Sequence, residues 1–114
     1  MLLAPYVFAV TVLAASPAPA PLSHVIAVHG LAVGIDAAST EWALARNPRA
    51  FEGNPLLRDR GLRLAVKAGE AALLVALDRG MERRYGKGAA RAFRWVVVGL
   101  HVLVAAWNVR QGQR

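Results

Sequence analysis

The chain contains no cysteine, which excludes disulfides, thiolate metal sites and cysteine nucleophiles. It lacks any useful length of the apolar–polar alternation that marks a half-buried strand, and it has no heptad array and no internal repeat. Acidic residues are few, seven against 14 Lys and Arg. Charge of either sign is missing from the first 35 residues, and the first ionised group, Asp36, lies inside an apolar run that continues to Leu44. A soluble domain rarely leaves so long a stretch uncharged, whereas a bilayer requires it. A carboxylate within such a segment is expensive and faces a partner or a polar cavity.

With 114 residues the chain holds one domain at most. Hydrophobic residues make up 56% and charged residues 18%, against roughly 45–50% and 25% in ordinary soluble domains. All 14 basic residues lie from Arg46 onward, mostly in two segments, Arg46 to Arg63 and Arg79 to Arg94. These charges flank apolar helices and do not line one face. The formal net charge of +7 therefore points to anionic phospholipid headgroups as partners, and not to nucleic acid.

Residues 1–15 are apolar and are followed by a Pro/Ala stretch with a small-x-small site at Ala18-Pro19-Ala20. No Lys or Arg precedes the apolar run, and Pro21 would follow the cut. Residues 1–21 therefore read either as a cleaved secretory signal or as a retained N-terminal anchor. The helical membrane domain is expected over 22–110, with a polar tail at 111–114. Its first span runs from about Leu22 to Leu44, long enough to cross a bilayer. Two Asn-Pro pairs, Asn47-Pro48 and Asn54-Pro55, mark the next loop. Asn54 as cap and Pro55 as first helical residue predict a helix from Pro55 towards Tyr85. Its membrane portion, Leu62 to Leu77, holds Arg63, Lys67 and Glu70 and is the most polar span. A basic loop is expected over Gly80 to Arg91, then a last helix over Phe93–Val109 bracketed by Trp95 and Trp107, as interfacial aromatics are.

The expected fold is thus all-α: a small helical membrane bundle of three spanning helices plus an N-terminal apolar segment, in a bacterial inner membrane. The competing reading is a secreted soluble bundle in which both tryptophans are core residues. The Asn-Pro side carries seven basic residues and the other side six, a margin that does not set orientation. Entry of residues 1–15 from the cytoplasm would place the Asn-Pro loop and the C-terminus there.

Each span has a polar stripe at helical spacing: His29, Asp36 and Thr40; Lys67 and Glu70; Arg94, His101 and Asn108. Measured from the Asn-Pro loop, Asp36, Glu70 and His101 lie roughly 12–13 Å deep, and Thr40 and Lys67 roughly 6–8 Å, at a rise of about 1.5 Å per residue. Three antiparallel helices then bring two carboxylates and an imidazole into one layer, with Lys67 long enough to meet Asp36. The simplest reading is polar glue between helices. The alternatives are a proton or cation path through a homo-oligomer and a metal site from His29, Asp36, Glu70 and His101. No local ligand motif supports the metal, and no cofactor is expected. Glu52-Gly53-Asn54-Pro55 reads as a capped turn. Gly30 and Gly34 form a G-x-x-x-G that suits either intrachain packing or dimerisation.

Asp36-Ala-Ala-Ser-Thr40, then Glu52-Gly-Asn54-Pro55-Leu56, a helix with Lys67 and a final helix ending in Asn108 resemble a group of small uncharacterised prokaryotic membrane proteins. Those proteins have an Asp-x3-Thr helix followed by a Glu-x-Asn-Pro loop and two further spans. The resemblance covers residues 24–110. It implies that Asp36, Thr40, Glu52, Asn54, Pro55, Lys67 and Asn108 belong to one cluster, and it carries no activity with it.

Three function classes remain. The leading one is a structural or interaction role in the membrane. The second is proton or cation movement, which needs an oligomer because one copy has too few helices for a transporter repeat. The third, an intramembrane enzyme, lacks a G-x-S-x-G motif and a base in register with Ser39; only Asp36 with Glu70 offers an acid/base pair.

Overall fold

A computed structural model describes residues 20–51 and 53–114, which form three helices joined by one longer and one very short connection. The first helix, α1 (Leu22–Arg46), starts where Pro21, in an extended conformation, turns its carbonyl towards the chain ahead. The N–H groups of His24 and Val25 donate to it at 3.0 and 3.1 Å. Pro48 ends α1, because the residue before a proline is pushed out of the helical region. Asn47 accordingly has φ −136° and ψ 92°.

Asn54-Pro55 does not open the second helix as the sequence suggested. It opens a single 3-10 turn, Pro55–Leu57, in which the Leu56 N–H donates to Asn54 Oδ1 at 3.0 Å. Asp59 then caps the long helix α2 (Arg60–Tyr85) by accepting from Leu62 N at 2.6 Å. Both Asn54 and Asp59 are good caps. The long helix propagates from the second. The basic loop expected over Gly80 to Arg91 is also absent. Helix α2 runs to Tyr85, Gly86 alone breaks it with φ +93°, and α3 (Lys87–Gln113) begins at the next residue. That dihedral lies where side chains other than glycine are strained.

Helices α1 and α3 share the most extensive interface. Their common core is small: Val28, Ala32, Ile35, Val97, Val98 and Ala105, with Leu31, Leu74, Phe93 and Val102 packed around it. At the Asn-Pro end the helices approach so closely that a Cβ on Gly112 would stand 2.7 Å from the Trp42 ring and 2.9 Å from the Ala43 Cα. Helix α2 packs against both others, yet its one fully buried residue is Asp78. Two helices, α1 and α3, are long and apolar enough to cross a membrane; α2 is long enough but too charged to meet that measure. Trp95 and Trp107 are 40% and 54% exposed, so they are not core tryptophans of a soluble bundle.

Candidate functional site

Charged residues make up one line along the face that α2 turns towards its neighbours, interrupted by Leu74. Arg63, Lys67, Glu70, Leu74 and Asp78 follow at intervals of four, three, four and four, which is one face of a helix. Each charged member meets an opposite partner. Nearest the Asn-Pro loop, Arg63 grips Glu41 of α1 with two bonds, Nε to Oε1 at 2.7 Å and Nη2 to Oε2 at 3.0 Å. Its Nη1 donates to the Leu57 carbonyl at 2.8 Å, tying the 3-10 turn to α2.

One turn deeper lies the central cluster. The Lys67 ammonium bonds Asp36 Oδ2 of α1 and also reaches Glu70 Oε2 at 2.9 Å. Asp36 is 4% exposed. Its other oxygen accepts from Asn108 Nδ2 of α3 at 3.1 Å, and that amide nitrogen also lies 3.0 Å from Ser39 Oγ and 2.9 Å from Thr40 Oγ1. Ser39 donates its own proton to the Asp36 backbone carbonyl at 2.9 Å. Glu70 Oε1 meets His101 Nε2 at 2.8 Å, while His101 Nδ1 sits 2.8 Å from the Val97 carbonyl. A carbonyl only accepts, so Nδ1 carries a hydrogen. The Nε2–Oε1 contact joins the imidazole of α3 to the carboxylate of α2 and closes the cluster of Asp36, Lys67, Glu70 and His101.

The structure thus brings together Asp36, Thr40, Lys67, Glu70, His101 and Asn108. Asn54 stands apart as the cap of the 3-10 turn. Glu52 lies outside the described residues. His29, grouped with Asp36 in the metal set read from the sequence, belongs to a different layer. Its Nε2 meets Asp78 Oδ2 at 2.8 Å, and Arg94 holds the same carboxylate with two bonds at 2.8 and 3.0 Å. This triad is almost wholly buried. Sequence reasoning passed over Asp78, Glu41 and the pairing role of Arg63. The signal for Asp78 was there: it lies eight residues beyond Glu70, while Arg94 and His29 lie seven residues from His101 and Asp36, so one further step of the same depth argument reaches it.

Gly30 and Gly34 are exposed, and a Cβ on either would meet nothing within 4 Å, so the G-x-x-x-G motif does not serve packing among the described residues. A cavity of about 160 Å³ opens between α1, the 3-10 turn and the start of α2; Thr40, Glu41, Asn54, Leu57, Arg63 and Lys67 are among its lining residues. At the opposite end Arg79 donates to the Ala20 carbonyl at 3.0 Å and to Glu82 at 2.9 Å. One group that could hold a metal ion occurs among the described residues: an oxygen each from Asp36 and Glu70 and a nitrogen of His101 lie within 4.8 Å of one another. No family model matches the chain, and no curated protein or solved structure is significantly similar to it.

Proposed function

We propose that the chain is a small integral membrane protein of the bacterial inner membrane, with all three helices crossing the bilayer and a structural or interaction role. The observation that carries this reading is an inverted distribution of polarity. Leu103 is 68% exposed, Leu73 59% and Val96 58%, while Asp36, Asp78, Arg94 and Asn108 are buried. In water such an arrangement exposes apolar surface and desolvates charge at once; in lipid both become favourable. Helix α2 fits this reading despite its charge, because Arg63, Lys67, Glu70 and Asp78 all point inward to partners and Leu73 and Leu77 point out. At about 1.5 Å per residue its 26 residues exceed the roughly 30 Å of hydrocarbon. Exposed Trp95 and Trp107 anchor α3 at the two interfaces, and the basic residues at both ends meet anionic headgroups. The resemblance to three-span prokaryotic membrane proteins with an Asp-x3-Thr helix belongs to the same proposal.

The absence of cysteine gives a clean test. A single cysteine at Leu73 is expected to resist a membrane-impermeant maleimide in native vesicles and to react after denaturation in SDS. The chain should also stay with the membrane in alkaline carbonate. Labelling of Leu73→Cys in intact vesicles would remove α2 from the bilayer, and release of the chain by carbonate would refute the reading altogether.

A second reading, an oligomeric component that moves protons or cations, draws on the contact of His101 with Glu70 beside a lysine–aspartate pair. Proton flux into liposomes that is present in the wild type and lost in Asp36→Asn would establish it. Absence of flux at every oligomeric state would dismiss it.

A further inference from the structure

We infer that Asp36, Glu70 and His101 form a binding site for a first-row divalent transition ion, in which the Lys67 ammonium is a tethered cation that an incoming ion displaces. The inference goes beyond the structural role and starts from a convergence of donors. Lys67 bonds Asp36 of α1 and Glu70 of its own helix, and Glu70 in turn meets the His101 imidazole of α3, so two carboxylates and an imidazole from three helices meet around one cation. These three donors, two oxygens and one nitrogen, suit manganese, cobalt or zinc better than magnesium or calcium, which disfavour imidazole.

The supporting bonds are those that metal-binding side chains use. His101 gives its Nδ1 hydrogen to the Val97 carbonyl, which aims Nε2 into the cluster. Asn108 holds Asp36 Oδ1 and leaves Oδ2 facing the cation. The ligand atoms lie within 4.8 Å of one another, a spacing that suits an ammonium with N···O distances of about 2.8 Å. Metal bonds of about 2.1 Å draw the three groups inward by small side-chain rotations.

Lys67 also has somewhere to go. Its side chain is 23% exposed and lines the cavity of about 160 Å³ beneath the 3-10 turn. It lies within reach of the loop surface, where a long aliphatic stem lets the ammonium snorkel into water.

The test is titration of the purified full chain in detergent with Mn²⁺, Co²⁺ or Zn²⁺ alone, with Mg²⁺ for comparison, followed by calorimetry and by the visible spectrum of Co²⁺. Lys67→Met keeps the stem and removes the competing charge, so it is expected to bind at least about tenfold more tightly than the wild type. His101→Gln is expected to weaken binding by about tenfold or more, taking the loss of a ligand to cost no less than the loss of a group that orients one. A purely structural ion pair gives the opposite pattern, a destabilised Lys67→Met that no ion rescues. No saturable binding by a helical Lys67→Met, equal binding by His101→Gln, or Mg²⁺ bound as tightly as Co²⁺ would each overturn the assignment. Should Lys67→Met fail to fold, the comparison of wild type with His101→Gln decides by the presence or absence of an imidazole-type cobalt spectrum. The labelling of Leu73→Cys reads membrane placement and does not depend on these outcomes.

Discussion

Gly112 shows how much one hydrogen atom in place of a methyl group decides. In most of a helix, glycine costs up to about 1 kcal/mol relative to alanine. Gly99 sits on the outer face of α3, where a Cβ meets nothing within 4 Å, and Gly99→Ala is expected to gain a few tenths of a kcal/mol up to about 1. Gly112→Ala reverses the sign. Its Cβ would stand 2.9 Å from the Ala43 Cα, a backbone atom that cannot step aside. Helices α1 and α3 would have to part, which also strains the bond from Asn47 Nδ2 to the Gln111 carbonyl. Overpacking of this kind costs about 1–3 kcal/mol. Unfolding of the two variants in mixed micelles is the measurement. Equal stability of Gly112→Ala and wild type would show that the helix ends are not in close contact.

At the scale of elements, α2 is docked largely by ion pairs, with Leu74 its contribution to the apolar core, whereas α1 and α3 share most of that core and the polar contact of Asn108 with Asp36. Its fully buried residue is Asp78, held by Arg94 and His29 with every partner almost wholly out of water. Removing one member of a buried pair strands the other, at about 3–5 kcal/mol, whereas removing the whole set is often neutral. Asp78→Ala is therefore expected to lose about 3–5 kcal/mol by that rule, and the triple change of Asp78, Arg94 and His29 to apolar residues to regain most of it. A triple variant no more stable than Asp78→Ala would contradict this account. The same contrast explains what could be read from the sequence. Asp36, Lys67, Glu70, His101 and Asn108 were legible because helical rise turns spacing into depth and buried charges must pair. The helix start at Arg60 was not, since Asn54-Pro55 and Asp59 are equally good local signals and only the continuing helix beyond Asp59 separates them. The Gly86 corner was not legible either. Gly86 and Gly88 both suggest a loop, but only Gly86 takes a positive φ. Glu41 with Arg63 was missed because Glu41 looks like an ordinary charge near the end of a span, and Arg63, though placed inside the second span, had no partner assigned to it.

For the molecule as a whole, the two kinds of interface respond differently to their surroundings. The α1–α3 core of Val28, Ala32, Ile35, Val97, Val98 and Ala105 depends on close contact of apolar groups. The bonds from Arg63, Lys67, Glu70 and Asp78 to the other helices depend on a low local dielectric, in which attraction between charges is several times stronger than in water. Conditions that admit water at the bundle surface should weaken the second before the first. Hydrogen exchange on the chain in lipid nanodiscs, then in micelles with rising SDS, is expected to release the amides of Arg60–Tyr85 first. The amides of α1 and α3 should stay protected until the pair separates. Simultaneous release of all three helices would show one cooperative unit, in which the α2 ion pairs are no more sensitive to water than the apolar seam. Release of α1 or α3 before α2 would reverse the order that the chemistry of the interfaces requires.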